Sequence, residues 1–210
     1  EHVARVAEDV LGASCSYCAL ATSYFAPVNM GGVIGRDFPR AERDLLASRR
    51  INLEGLEEVD GRTFRWRGRY HEDMNMRDTL DLQLNVFGEF APRLPESYRD
   101  SELVFLANIQ PGLQKGVLGQ LRAVRLVGAD TMDHWIRGDR AALVDLLADV
   151  DILSINDSEA QLLSGERNIV TAARKILELG PKTLLVKRGE YGALQFSADD
   201  VFAVPAFPLE

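Results

Sequence analysis

The sequence predicts an α/β protein: a three-layer, doubly wound, mostly parallel sheet that carries a small β lid. Two observations carry this expectation. Through the second half of the chain, short apolar runs alternate with amphipathic helical stripes, the order that βαβ units produce. One stretch of the first half departs from that order and alternates apolar with polar residues, as an antiparallel pair with one covered face does. The chain has 210 residues, enough for one large domain or one domain with a small appendage.

The spacing predicts a helix around Phe38, Ala41, Leu45 and Leu46, and a second around Leu113, Val117, Leu118 and Leu121. A third stripe runs through Leu143, Leu146, Leu147 and Val150. The most regular one joins Ile169, Ala172, Ala173, Ile176 and Leu177. Apolar runs of strand length lie between them: Leu103 to Ala107, Val124 to Ala129, Ile152 to Ile155, and Thr183 to Val186. From about Asp100 to Val186 the order is therefore β-α-β-α-β-α-β. In the alternating stretch, Phe64, Trp66, Gly68 and Tyr70 oppose Arg65, Arg67 and Arg69, and Leu80, Leu82, Leu84 and Val86 oppose Asp81, Gln83 and Asn85. These segments, Thr63 to Tyr70 and Thr79 to Phe87, are expected to pair through the polar loop His71 to Asp78. The expected division is an α/β core of residues 1–62 and 88–210 with a strand lid at 63–87. Ala91-Pro92-Arg93-Leu94-Pro95 punctuates the return to the core. The opening residues run directly into a helical pattern, whereas an α/β domain usually starts on a buried strand, so a strand is expected before Glu1.

Composition narrows the function classes. Lys and Arg total 24 against 32 for Asp and Glu, a formal net charge of -8 that weighs against nucleic acid as a partner. No apolar stretch reaches the ~18 residues of a membrane span, and no signal peptide is present, so a cytoplasmic protein without membrane contact is expected. The two cysteines form Cys15-Ser16-Tyr17-Cys18. A zinc site would need a second ligand pair, and His2, His71 and His134 stand singly. The spacing fits one face of a helix, where reduced cysteine acts as a small hydrophobe.

Two segments carry chemistry. Val150 to Ile155 reads as a strand that ends where Asn156 opens a helix, with Glu159 three residues on. Asn at a helix N-cap with Glu at N3 approximates a capping box and needs no function. Yet ligands of open α/β sheets bind at strand C-terminal ends, where an amide and a carboxylate one turn apart can orient a hydrated cation and a phosphate. In the second segment the strand Leu184-Leu185-Val186 runs into Lys187-Arg188-Gly189-Glu190-Tyr191-Gly192. Its glycines permit positive φ and close approach of backbone to a ligand, or simply join two strands. No G-x-G-x-x-G follows a strand, which argues against a dinucleotide-binding oxidoreductase.

In order and spacing these segments resemble the ribokinase-like (PfkB carbohydrate kinase) family. Asn156-Asp157-Ser158-Glu159 matches its N-x-x-E motif, and Lys187 to Gly192 its nucleotide-binding turn. Gly12-Ala13-Ser14-Cys15-Ser16-Tyr17 stands at its G-G-x-x-x-N substrate loop, with Ala13 and Tyr17 in place of the second glycine and the asparagine. Gly31 to Phe38 stands at a later glycine-rich turn, and Thr63 to Phe87 matches the family's lid. The resemblance implies transfer of the γ-phosphoryl group of ATP, with Mg²⁺, to a hydroxyl of a sugar or sugar-like molecule. Asn156, Glu159, Lys187, Gly189 and Gly192 would then face the nucleotide, with Glu159 reaching Mg²⁺ through water. Gly12, Ala13 and Tyr17 would shape the acceptor pocket, with Asn108 and Asp130 as further acceptor-side residues. The family's D-x-G-A-G-D, whose last Asp is the base, is expected after Glu210, and its substrate-binding Asp before Glu1, so no catalytic residue is expected within residues 1–210. A homodimer through the lid strands is a further implication. The alternatives are a nucleoside kinase and a catalytically silent sensor that binds a nucleotide or sugar. Asp37 is read as the cap of the helix near Phe38. One of Arg65, Arg67 and Arg69 is a candidate to reach an anionic acceptor, against the plainer reading of a charged edge strand.

Overall fold

The computed structural model describes residues 7–71 and 77–208. The middle of the loop expected at His71 to Asp78, and His2, lie outside the described residues. Residues 7–13 hold no helix; the chain first becomes helical at α1 (Ser14–Thr22). There follow β1 (Val28–Gly35), α2 (Arg40–Ser48) and β2 (Ile51–Val59), and β1 pairs with β2 in parallel as a two-stranded sheet. β2 was not expected, because Glu54, Glu57 and Glu58 interrupt its apolar pattern. Only Ile51, Gly55 and Leu56 of that strand are buried, while its charged residues face solvent. Ile51 closes a small second core with Ala19, Met30 and Leu46.

The alternating stretch forms β3 (Arg65–Tyr70) and β4 (Arg77–Gln83), paired antiparallel outside the other sheets. A register shift between Arg67 and Gly68 interrupts the strict alternation. The second strand ends earlier than its pattern implied. Leu84 and Val86 keep the period of two, but Asn85 takes a positive φ of 49° and turns the chain into a 3-10 turn, Asn85–Glu89. The Val86 amide then donates to the Arg62 carbonyl at 3.1 Å, so this segment closes the base of the hairpin.

The second half holds β5 (Leu103–Leu106), α3 (Pro111–Leu118), β6 (Leu126–Asp130), α4 (Asp133–Gly138) and α5 (Arg140–Leu147). It continues through β7 (Ile152–Asn156), α6 (Asp157–Ser164), α7 (Ile169–Leu177), β8 (Thr183–Lys187), β9 (Ala193–Phe196) and β10 (Val201–Val204). The sheet order is β10-β9-β8-β7-β6-β5, with β5 to β8 parallel and the last two strands antiparallel. Its core lies where the stripes meet the strands: Leu143, Leu146 and Leu147 of α5 and Ile176 of α7 pack with Leu153, Ile155, Leu184 and Val186, each 0–1% exposed. Each such side chain contributes roughly 1.5–3 kcal/mol of burial free energy. Several boundaries differ from expectation: Phe38 precedes α2 and Val150 follows α5. α3 ends at Leu118 with Gly119 as its C-cap, leaving Leu121 in the following turn, and β6 begins at Leu126 rather than Val124.

Candidate functional site

The four parallel strands end side by side: Leu106 opposite Ala129, Asp130 opposite Ser154, and Asn156 opposite Lys187. One buried amide draws the first two ends together. Gln114 of α3 donates from Nε2 to the carbonyls of Leu106 (3.0 Å), Ala107 (3.1 Å) and Asp130 (3.1 Å). Sequence reasoning missed Gln114, although a lone amide inside an apolar helical stripe is the kind of residue a buried backbone ligates.

At the end of β7 the local pattern is realised in full. The Glu159 amide donates to Asn156 Oδ1 at 2.8 Å, and the Asn156 amide donates to Glu159 Oε2 at 2.8 Å. Ser158 Oγ adds a third bond to Asn156 Oδ1 at 2.7 Å. Glu159 is 5% exposed, so a carboxylate lies buried at the sheet edge beside a helix N-terminus. Lys187 is exposed at the end of β8. The turn beyond it carries Gly189 at φ 54° and Gly192 at φ 87° and returns the chain antiparallel as β9. A Cβ on Gly192 would stand 1.9 Å from the Val204 carbonyl oxygen, so strand packing alone demands glycine there. Lys187, which pairs with Asn156 across β7 and β8, precedes this turn.

Asp130 closes β6, 6% exposed, and burial pushes its carboxyl up to about 6. The nearby Ser14 hydroxyl and the charge of Lys187 act against that rise, and the charge of Glu159 adds to it. Asp130 Oδ1 and the neighbouring Thr131 Oγ1 are buried without a protein partner. The Ser14 hydroxyl also accepts from the Asn108 amide at 3.0 Å, which brings α1 onto the same sheet edge. Asn108 itself is held by side chains: Trp135 Nε1 donates to its Oδ1 at 3.0 Å, and its Nδ2 lies 3.0 Å from Met132 Sδ. Gly12 and Ala13 are exposed just before α1, and Tyr17 is 64% exposed one turn into it. Ala13 is the N-cap at φ 68°, ψ 149°, a region populated almost only by glycine.

Cys15 packs against the small second core and lies 3.7 Å from the Gly31 carbonyl, and Cys18 lies beside Thr22. Both thiols are free and both are pushed up by burial, Cys15 to about 11. Asp37 does not cap α2, whose N-cap is Pro39 without a side-chain bond. Its Oδ1 accepts from the Thr63 amide (2.6 Å) and hydroxyl (2.7 Å), and its Oδ2 lies 3.5 Å from Arg65. Arg65 also pairs with Asp9. The arginine nearest the hairpin base is therefore engaged by two carboxylates.

The oxygen donors fit a hydrated Mg²⁺. Among the described residues no group of three or more His, Cys, Asp or Glu could hold a metal alone. Mg²⁺ in phosphoryl transfer needs no such cage, since it keeps waters and takes one or two carboxylates plus phosphate oxygens.

Over residues 2–210 the chain matches the family described as pfkB family carbohydrate kinase, and it belongs to that family. It is thereby a phosphotransferase by class. It is 27% identical over 204 residues to a cytidine kinase of Thermococcus kodakarensis, covering 95% of this chain and 71% of that protein. Its fold matches a protein of E. coli assigned as ribokinase II, with a TM-score of 0.76 at 22% identity, over 95% of this chain and 69% of the other. The same E. coli protein solved with ATP and Mg²⁺ gives 0.72 at 20% identity, over 95% and 68%. A ribokinase of Thermotoga maritima gives 0.69 at 20% identity, over 94% and 66%. Among the described residues no helix is long and apolar enough to cross a membrane.

Proposed function

We propose that this protein transfers the γ-phosphoryl group of ATP to a hydroxyl of a sugar or nucleoside at the C-terminal edge of β5 to β8. The observation that carries the reading is the buried Glu159 carboxylate, fixed by Asn156 at the end of a central strand, with its charge and that of Lys187 both acting on Asp130. Mg²⁺ bound there supplies charge neutralisation of the phosphates. Asn156 fixes the Glu159 carboxylate in orientation, and Glu159 would hold the ion through its water shell. Lys187 places a positive charge at the same edge, and the turn through Gly189 and Gly192 offers backbone to the nucleotide. On the other side Gly12, Ala13 and Tyr17 border the acceptor, and Asn108 and Asp130 support that border from beneath. Such positioning and electrostatics supply most of the catalysis in phosphoryl transfer.

The likeness to a cytidine kinase favours a nucleoside over a free sugar as acceptor. Residues 63–87 are proposed as the lid, with its strands as a dimer surface. The deciding experiment is an acceptor panel of ribose, fructose, cytidine and adenosine with ATP and Mg²⁺, read as ADP release. Phosphorylation of cytidine above ribose supports the nucleoside reading, and the reverse order supports a sugar. Tight ATP binding with no acceptor turned over would support the sensor reading instead.

A further inference from the structure

The loop after β5 is held from two helices by side chains that the phosphate-side chemistry does not use. Asn108 stands two residues beyond the end of β5, and Met132 stands two residues beyond the end of β6, at the N-cap of α4. Trp135 of α4 donates from Nε1 to Asn108 Oδ1 at 3.0 Å, and Asn108 donates from Nδ2 to Met132 Sδ at 3.0 Å. An indole N–H can only donate, so the amide must present its oxygen to Trp135, and its orientation is fixed. A thioether is a weak acceptor, so the indole bond is the stronger of the two. Gln110 adds a second tie from the same loop to α4, donating from Nε2 to Asp139 Oδ2, the C-cap residue, at 2.7 Å. On the other side, the Asn108 backbone amide donates to Ser14 Oγ at 3.0 Å, on the first residue of α1. Ala13, the N-cap of α1, makes no side-chain bond to the first turn. Asn108 thus joins α4 to the start of α1 through its side chain and its backbone.

We propose that Trp135 is a positioning residue for the acceptor: its indole orients Asn108, whose backbone seats Ser14 and the acceptor border, so acceptor affinity depends on Trp135 and nucleotide affinity does not. The proposal rests on the reading of Gly12, Ala13 and Tyr17 as that border. Gly12 and Ala13 immediately precede Ser14, and Tyr17 is one turn on, its amide bonded to the Ala13 carbonyl at 3.3 Å. Without the indole N–H, Asn108 Oδ1 loses its donor at a half-buried position, and the amide turns to find another. The loop backbone and Ser14 move with it. The nucleotide-side pair, Asn156 and Glu159, is bonded within its own helix end, on a strand that β6 separates from β5, and would stay in place.

The test uses Trp135→Phe, which keeps an aromatic ring and removes the N–H, with Ser14→Ala and the double variant. Ribose and cytidine are the acceptor probes and Mg²⁺-ATP is the nucleotide probe, each titrated by calorimetry. Trp135→Phe should weaken acceptor binding about ten-fold while ATP affinity stays within about two-fold, the size expected when one hydrogen bond is lost and its acceptor left unsatisfied. Ser14→Ala should give the same split, and the double variant should be no weaker than the worse single, because both interrupt one relay. A spectroscopic readout follows from the two tryptophans of the chain: Trp66→Phe leaves Trp135 as the indole reporter. Its emission should change when acceptor is added and stay unchanged with Mg²⁺-ATP alone. Acceptor and ATP affinities that fall together, unchanged acceptor affinity in Trp135→Phe, or an emission indifferent to saturating acceptor would overturn the proposal. Should the parent bind neither ribose nor cytidine, the functional reading fails, and amide exchange decides the relay: residues 12–20 should exchange faster in Trp135→Phe with α6 and α7 unchanged, and equal exchange would end it. If Trp135→Phe does not fold, the Ser14→Ala split and the Trp135 emission decide.

Discussion

Asn156 and Glu159 hold each other's backbone amides at 2.8 Å, a reciprocal pair that starts α6 and leaves a carboxylate buried at the end of a central strand. The pair serves two ends at once. As a cap it satisfies two orphan donors of the helix, and in the proposed function its oxygens face the phosphates. The two roles separate by substitution. Gln at Glu159 can still accept from the Asn156 amide, so Glu159→Gln should keep the fold, with a melting temperature within a few degrees of the parent. Asn156→Ala removes the cap itself and should cost about 1 kcal/mol in a denaturant titration.

Ala13 occupies a backbone conformation at φ 68°, ψ 149° that glycine adopts without strain. Ala13→Gly should therefore stabilise the protein by about 1 kcal/mol, the relieved strain exceeding the added entropy of the unfolded chain. Thermal unfolding should show a rise of roughly 2–4 °C.

Asp130 titrates at about 6 because burial disfavours its charge. Its folded pKa lies above its unfolded one, so between about pH 4 and 6 the folded state binds the extra proton. Its contribution to stability is therefore present at low pH and is lost as pH rises through that window. At pH 8 the ionised group should cost roughly 2–3 kcal/mol, and Asp130→Asn should recover much of it. Subtracting the stability profile of the variant from that of the parent isolates the effect from Asp37 and Asp151, whose carboxyls are shifted down and titrate with the opposite sign. A flat difference between pH 4 and 6 would contradict it.

Arg65 ties β3 to the core through Asp9 and Asp37. Arg65→Ala should leave the six-stranded sheet intact and speed amide exchange in β3 and β4. Raising the ionic strength should have the same effect on the parent, since this network is exposed.

How much of this was legible follows the range of the interactions. Strands β5 to β8 stood out because both faces of each are covered, which leaves continuous apolar runs such as Leu184-Leu185-Val186. The Asn156–Glu159 pair was legible because its bonds close within four residues. β2 was hidden because the exposed Glu54, Glu57 and Glu58 interrupt its apolar pattern. Asp37 was misread as a cap because Thr63, 26 residues on, supplies donors that win over the nearby helix end. The alternation at Leu84 and Val86 misled for a related reason: a single positive φ at Asn85 ends a strand that the apolar period alone would continue. Ser14 and Gln114 gave no local signal of their partners, since the Asn108 amide and the strand-end carbonyls reach them only through the fold.

The most direct test of the account is a Mg²⁺ titration of phosphoryl transfer from ATP to the best acceptor of the panel, comparing the parent with Glu159→Gln. Removal of the carboxylate should leave the variant folded, raise the Mg²⁺ requirement about 10–100-fold and depress turnover at low Mg²⁺. Equal turnover and equal Mg²⁺ dependence in the two proteins would show that Glu159 is a helix cap only, and that phosphoryl transfer is centred elsewhere.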